Sequence, residues 1–144
     1  MSDKDFFTFE IVSPERVVLK SRVSRVTVPT VSGEITILPH HIPLVSILAP
    51  GVVEAETENG DIEIMSVSGG LVEVVLGKVV ILADTAERAD ELDEELIAQA
   101  KSEAEKLKER IRQGDDVDFA ALSAKLEKAL ARERSLKRWR NLPK

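Results

Sequence analysis

The sequence contains no cysteine and only five aromatic side chains, four phenylalanines and one tryptophan. The absence of cysteine excludes disulfides, thiolate metal ligands and cysteine nucleophiles. Scarce aromatics and a net charge of −6 argue against nucleic-acid binding, which uses a basic face and stacking rings. No apolar run approaches the ~20 residues of a membrane-spanning helix, so we expect no direct membrane insertion. The first residues also lack the basic and apolar segments of an export signal.

The charge that is present is distributed unevenly along the 144 residues. Residues 1–86 and 87–118 each carry 6 basic and 12 acidic side chains, whereas residues 119–144 carry 8 basic and 2 acidic ones. The last two segments are therefore electrostatic opposites. We expect the basic segment to bind an acidic protein surface.

Residues 6–83 consist of short β-branched runs separated by Pro, Gly, Asn and Ser, a pattern typical of strands joined by tight turns. Asn59-Gly60 predicts a hairpin, because both residues tolerate positive φ. Strands are predicted at 6–12, 16–19, 22–28, 34–37, 43–48, 52–57, 62–67, 71–75 and 78–82. This density predicts an all-β sandwich or flattened barrel of about nine or ten strands over residues 1–86.

The hydrophobic period changes to that of a helix at Asp84. Asp84-Thr-Ala-Glu87 has the spacing of a capping box and predicts a helix start, and Gln113-Gly114 predicts its end. The predicted apolar stripe of this helix is Ala89, Leu92, Leu96, Ala100, Ala104, Leu107 and Ile111.

Asp118 is the predicted cap of a second helix, which completes an antiparallel two-helix hairpin over residues 87–144. Glu133 interrupts its stripe, which consists of Phe119, Leu122, Leu126, Ala129 and Leu136. The seam is thin and rich in alanine, so its burial is small compared with a full core. We therefore expect that the hairpin is able to detach and rearrange.

A stiff loop is predicted where Pro39 and Pro43 bracket His40 and His41. Such a loop suits the presentation of Glu34 and His41 to a partner at little cost in ordering entropy, but it is equally consistent with a rigid turn. No metal site is predicted, because adjacent histidines diverge and two ligands are too few.

The glycine-containing stretch from Gly70 to Lys78 does not have the spacing of a phosphate-binding loop. Six residues separate Gly70 from Gly77 instead of four, and neither Ser nor Thr follows Lys78. It predicts two strands and a turn. No catalytic residues are singled out anywhere in the chain, although an unrecognised acid–base site remains an alternative.

Five cations crowd the end of the second helix. They are consistent with simple stabilisation of a helix C-terminus, but they also exceed what that role requires and suit an acidic partner. Trp139 either anchors such a contact or packs the end of the hairpin. The five cations are Arg132, Arg134, Lys137, Arg138 and Arg140.

The residues at 32–45, Ser-Gly-Glu-Ile-Thr-Ile-Leu-Pro-His-His-Ile-Pro-Leu-Val, resemble the pattern Gly-Glu-Leu-Gly-Ile-x-Pro-Gly-His-Ala-Pro-Leu of the ATP synthase epsilon family. Thr36 and His40 replace two glycines of that pattern, so the pattern does not predict the backbone conformation of this loop. The resemblance covers nearly the whole chain, continuing at 50–52, 68–74, 82–86, 92–93 and 114–119.

This resemblance implies a non-catalytic rotor subunit of a bacterial F-type ATP synthase, bound peripherally at the cytoplasmic face of the inner membrane. The sandwich is expected to contact the gamma subunit and the c-ring, with Glu34 and His41 as the ring-facing candidates. The hairpin is expected either to fold against the sandwich or to extend toward an acidic segment of the beta subunit. In the extended state its five cations are the candidates for the contact that blocks ATP hydrolysis.

Some bacterial relatives bind ATP through Ile or Leu, Asp, two variable residues, Arg and Ala. Here Asp93 matches this motif but Leu96 replaces the arginine, so we expect weak or no ATP binding and no cofactor. The alternative function is a free-standing β-sandwich adaptor whose basic hairpin recruits an acidic partner. Co-purification with gamma and ring distinguishes the two.

Overall fold

The computed structural model describes residues 5–143. The strands are β1 (Phe7–Val12), β2 (Val17–Thr30), β3 (Gly33–Ile37), β4 (Leu44–Leu48), β5 (Gly51–Thr57), β6 (Ile62–Val67), β7 (Gly70–Val75), β8 (Lys78–Ala83) and β9 (Ala86–Arg88). A 3-10 helix (Ala89–Glu91) then leads into α1 (Glu94–Arg112) and α2 (Phe119–Arg140). The predicted fold class, a β-sandwich followed by two helices, is confirmed.

The strands form two layers around one core. Hydrogen bonding follows the order β1-β8-β7-β4-β2-β5-β6-β9, with β3 added to β2 and with β1 also paired to β2. One layer therefore contains β1, β8, β7 and β4, and the other contains β3, β5, β6 and β9, while β2 takes part in both. Inward side chains such as Phe9, Ile11, Val53, Val72 and Ile81 are fully buried between them.

Strand β2 joins the two layers because it is long and bulged. Its first part pairs with β1 up to Val23, and its second part pairs with β3 and β5 from Val23 onward. The register with β5 shifts between Val23 and Arg25, so Val23 and Val26 both point into the core. Such a bulge re-aims a strand. The prediction of two separate strands at 16–19 and 22–28 was therefore wrong.

The hairpin predicted at Asn59-Gly60 is confirmed between β5 and β6, which pair from Glu56 opposite Ile62. Only one of the two residues uses the predicted backbone, since Gly60 has a φ of +86° and Asn59 has no positive φ. The turn therefore uses the positive φ of the glycine alone.

The predicted helix start at Asp84 was wrong. Residues 86–88 instead form β9, in which Ala86 pairs with Val67 and Arg88 pairs with Met65 of β6. Pairing with an available strand edge, together with burial of Ala86, outweighs the local capping signal. The predicted boundary between residues 86 and 87 falls inside this strand.

The helices begin and end at clear capping residues. The Asp93 carboxylate accepts hydrogen bonds from the amides of Glu95 and Leu96, so α1 begins nine residues later than a cap at Asp84 implied. The end of α1 near Gly114 and the cap of α2 at Asp118 are confirmed. Within residues 5–143, neither helix is both long and apolar enough to cross a bilayer.

Helix α2 packs on the outer face of β5 and β6, and α1 packs on α2. Ala131 and Ser135 of α2 are fully buried at the sheet. The Ser135 hydroxyl donates to the Ala131 carbonyl at 2.9 Å and lies 3.4 Å from the Met65 carbonyl of β6. Small side chains therefore let α2 approach the sheet closely.

Two residues of the predicted stripes are not in the seam. Leu96 is 60% exposed and Phe119 is 71% exposed, whereas Ile97 takes the buried position in the first turns of α1. The predicted stripe was counted from Ala89 and Leu92, which precede α1. The helical repeat does not extend to these two residues, so the stripe was assigned to the wrong face in the first turns. The buried seam consists of Ile97, Ala104, Leu122, Ala129 and Leu136.

Candidate interaction surfaces

The outer face of β4, β7 and β8 is mainly apolar, with Glu73 as an acidic exception, and neither helix covers it. Ile47 pairs with Leu71, which pairs with Leu82, and these side chains are 56%, 42% and 49% exposed. Val45, 65% exposed, extends the row. Outward positions of an antiparallel sheet are normally polar, so a contiguous exposed apolar face indicates a protein contact.

The apolar face continues toward the loops at one end of the sandwich. Ile42 and Leu76 are 75% and 87% exposed, and Leu38 is 55% exposed. A shallow depression there is bordered by Leu38, His41 and Lys78 among others. The stiff loop after β3 thus presents apolar and basic groups together.

The loop at the histidine pair has a distinctive backbone. His40 has a φ of +67°, a left-handed conformation that glycine adopts without the ~1–2 kcal/mol steric cost of other residues. His40 adopts this conformation here although it stands at a glycine position of the family pattern. His41 is hydrogen-bonded through Nδ1 to the Ile42 carbonyl at 2.7 Å. In the described part of the chain, no three His, Asp or Glu side chains come together as metal ligands.

Glu34 and His41 do not share a site. Glu34 is exposed on β3 and borders an open depression of about 370 Å³ beneath the end of α2. His41 borders the other depression, near Lys78. The two ring-facing candidates thus lie at opposite ends of β3.

Three of the five predicted cations form ion pairs, two with the sandwich and one with α1. Arg132 pairs with Glu87 at 2.6 Å, Arg138 with Glu54 at 2.7 Å and Arg140 with Glu94 at 2.9 Å. The other two, Arg134 and Lys137, have no ion-pair partner in the described range. Docking therefore engages the cluster only partly.

Helix α1 carries five acidic and five basic side chains, so the acidic excess of residues 87–118 lies outside it, and it meets the basic α2 through exposed ion pairs in both directions. Besides Arg140–Glu94, Lys101 pairs with Glu133 at 2.6 Å and Lys125 with Glu103 at 2.8 Å. The hydrogen bonds from Arg140 and Lys125 lower the pKa values of Glu94 and Glu103. Because these groups are exposed, each pair contributes little on its own.

A further pair of ionic contacts, not predicted from the sequence, fixes the joint between sandwich and hairpin. Arg16 forms a bidentate pair with Glu91 of the 3-10 helix, and its hydrogen bond lowers the pKa of Glu91. Arg88 pairs with Glu63 at 2.8 Å. No spacing in the sequence brings Arg16 and Glu91 together, so only the folded chain reveals this joint.

The remaining singled-out residues have local structural roles. Trp139 is 42% exposed beside Leu142 and Pro143, so it packs the end of the hairpin only in part. A Cβ at Gly70 would lie 2.0 Å from the Leu82 carbonyl oxygen, so the Ser-Gly-Gly stretch permits close approach of β7 and β8. Asp93 caps α1, and the absence of ATP binding stays a prediction.

Comparison with known proteins places this architecture in a family. The family described as "ATP synthase, Delta/Epsilon chain, beta-sandwich domain" matches residues 6–89. An ATP synthase epsilon chain of Chloroflexus aggregans is 45% identical over 87% of this chain and 88% of its own length. One from Psychrobacter arcticus is 37% identical over 91% of this chain and 94% of its own.

A solved structure shows the same arrangement. A chain in the Euglena gracilis mitochondrial ATP synthase, a structure of OSCP, F1 and c-ring, aligns with a TM-score of 0.78 at 28% identity. The alignment covers 92% of this chain and 82% of that chain. By its sequence and its fold, the chain belongs to the ATP synthase epsilon family.

Proposed function

We propose that this protein is the epsilon subunit of a bacterial F-type ATP synthase rotor, which links the gamma subunit to the c-ring and carries no catalytic site. Family membership and the uncovered apolar face of β4, β7 and β8 support this assignment. The bacterial relatives support a peripheral position at the cytoplasmic face of the inner membrane.

The apolar face is the proposed gamma contact. Monomeric soluble proteins rarely expose neighbouring apolar side chains in one patch. In this chain Val45, Ile47, Leu71 and Leu82 are exposed in this way. The opposite outer face of the sandwich is already covered by α2. A rotor subunit that must transmit torque needs a rigid surface, and the sheet supplies one.

Leu71→Glu tests the gamma contact, because it places a charge in the centre of the proposed interface. We expect at least about a tenfold loss of gamma co-purifying with the tagged chain, since central apolar side chains dominate binding. Leu96→Glu is the matched control, because Leu96 is 60% exposed on α1. Equal recovery of gamma with the two variants would exclude this face as the contact.

Glu34 and His41 remain the proposed ring-facing residues. The proline-bracketed loop carrying His41 has a fixed backbone, and Leu38 and Ile42 beside it are exposed. A loop of this kind loses little entropy on binding. Glu34 supplies a carboxylate at the other end of β3 for a basic group on the ring.

We further propose that the hairpin restrains ATP hydrolysis by undocking and binding an acidic surface of the beta subunit through its five cations. Arg132, Arg138 and Arg140 would then exchange their present carboxylates for those of beta. Because one set of ion pairs replaces another, the two states need differ by only a few kcal/mol.

Truncation of the hairpin tests this restraint. The cut belongs after Leu92 and not after Thr85, because residues 86–88 form β9 and Glu91 pairs with Arg16. The truncated protein should assemble normally while the ATPase rate of the complex rises. An unchanged rate in an intact complex would refute the inhibitory role.

A further inference from the structure

Two unpaired charges face the same depression where α2 crosses the sandwich. The side chains of Glu34 on β3 and Arg134 on α2 have no hydrogen-bond or ion-pair partner within the described residues. Both border the open depression of about 370 Å³. Glu54 and Arg138 border the same depression and are already paired at 2.7 Å.

The surrounding charges are balanced without this pair. Arg25 lies 2.8 Å from Glu56 and 3.7 Å from Glu54, so the carboxylates of β5 have cations on the sandwich itself. Among the charged residues that border the depression, Glu34 and Arg134 are then the ones without an ion pair to a described residue. Exposed charges closer than the ~10 Å Debye length at 0.1 M salt still attract each other.

We propose that Glu34 couples a binding surface of the sandwich to the docking of α2. A partner that places a cation against Glu34 cancels its attraction for Arg134 and so weakens docking. The coupling is reciprocal, because release of α2 removes Arg134 from Glu34 and so raises the affinity of Glu34 for another cation. The identity of the partner, a basic group of the c-ring, rests on the proposed function, whereas the coupling itself is a property of this chain.

Ser135 provides a direct reporter of docking. It is fully buried between α2 and β6, and the chain contains no cysteine. In a Ser135→Cys protein the only thiol becomes reactive when α2 leaves the sheet. The rate of thiol labelling therefore measures the fraction of undocked α2.

The experiment compares Ser135→Cys with the same protein carrying Glu34→Lys, a covalent substitute for a bound cation. We expect labelling about two- to fivefold faster at low ionic strength, because the substitution replaces an attraction toward Arg134 with a repulsion. The increase should vanish in 1 M salt, where the Debye length falls to ~3 Å. Adding Arg134→Glu should restore the original rate by reversing the pair.

Two controls isolate the coupling. Glu73→Lys makes the same charge change on the exposed side of β7, remote from α2, and should leave labelling unchanged. A separate Val53→Cys protein, with its thiol fully buried in the sandwich core, reports opening of the core, which Glu34→Lys should not affect. Equal rates for Glu34→Lys and Glu73→Lys, or no restoration by Arg134→Glu, would overturn the proposal.

A second arm tests the partner in the assembled complex. Glu34→Gln should reduce recovery of the c-ring if the ring supplies the cation. Undiminished recovery would overturn the ring as the partner. Because the labelling assay uses the isolated full chain, failure of the coupling and failure of the ring assignment give different results.

Discussion

The sandwich and the helical hairpin differ in the kind of side chain that they bury. Large residues such as Phe9, Ile11 and Met65 fill the sandwich, whereas the contacts of α2 with the sheet depend on Ala131 and Ser135. Burial free energy scales with apolar area, at roughly 25 cal/mol per Å². The sandwich core therefore buries more apolar side-chain area per residue than the small side chains that hold α2 on the sheet.

The largest expected effect tests the sandwich. Phe9→Ala should lower the free energy of unfolding by about 3–5 kcal/mol, because Phe9 is fully buried and its removal leaves a cavity. Urea unfolding measures the loss. Phe119→Ala is the matched control, since Phe119 is 71% exposed on α2 and should change stability by less than about 0.5 kcal/mol. A similar decrease in the free energy of unfolding for both variants would show that the two regions do not differ in how much their side chains stabilise the fold.

An intermediate effect is expected where α2 meets the sheet. Ala131→Leu should weaken docking by about 1–3 kcal/mol through overpacking, while the sandwich stays folded. Labelling of a thiol at Ser135 should accelerate accordingly, whereas a thiol at Val53 should stay protected. Ala124→Leu, at an exposed position of α2, is the control. If both leucines accelerate labelling equally, close packing on β6 is not what holds the hairpin.

The smallest effect concerns the ion pairs between the helices. Glu94 and Glu103 have lowered pKa values in the folded chain, so their contribution is present above the ordinary carboxyl pKa and is lost as pH falls through the folded values. Arg140→Gln should raise the pKa of Glu94 toward its ordinary value and leave that of Glu103 unchanged. A carboxyl titration by NMR measures both. No change at Glu94 would mean that this pair does not form in solution.

Sequence patterns predicted the elements whose local signals agree with their surroundings. Alternating β-branched runs gave the strands, and Asp118 and Gly114 marked the hairpin turn correctly. The capping signal at Asp84 failed because a strand edge of β6, distant in sequence, was available to residues 86–88. Tertiary contacts often override a local preference for helix, and the spacing of residues in the sequence does not show which of the two is the more stable.

The candidate sites were predictable only as groups of residues. The basic cluster was visible in the sequence, but the division between paired Arg132 and unpaired Arg134 depends on which carboxylates the sheet places nearby. The apolar face was missed as a surface, because Ile47, Leu71 and Leu82 become neighbours only through strand register. The sequence did contain a signal for this surface, because apolar residues occupy the outward as well as the inward positions of β4, β7 and β8.

The packing of α1 on α2, and not on the sheet, has a consequence for synthesis on the ribosome. The nine strands found within residues 5–143 all precede the helices, so they are translated before either helix is made. The 19 residues of α1 then emerge with only Ile97 and Ala104 destined for burial. Because most of the stability of a protein helix comes from packing of its apolar face, α1 should be only partly formed in the nascent chain until α2 has been translated.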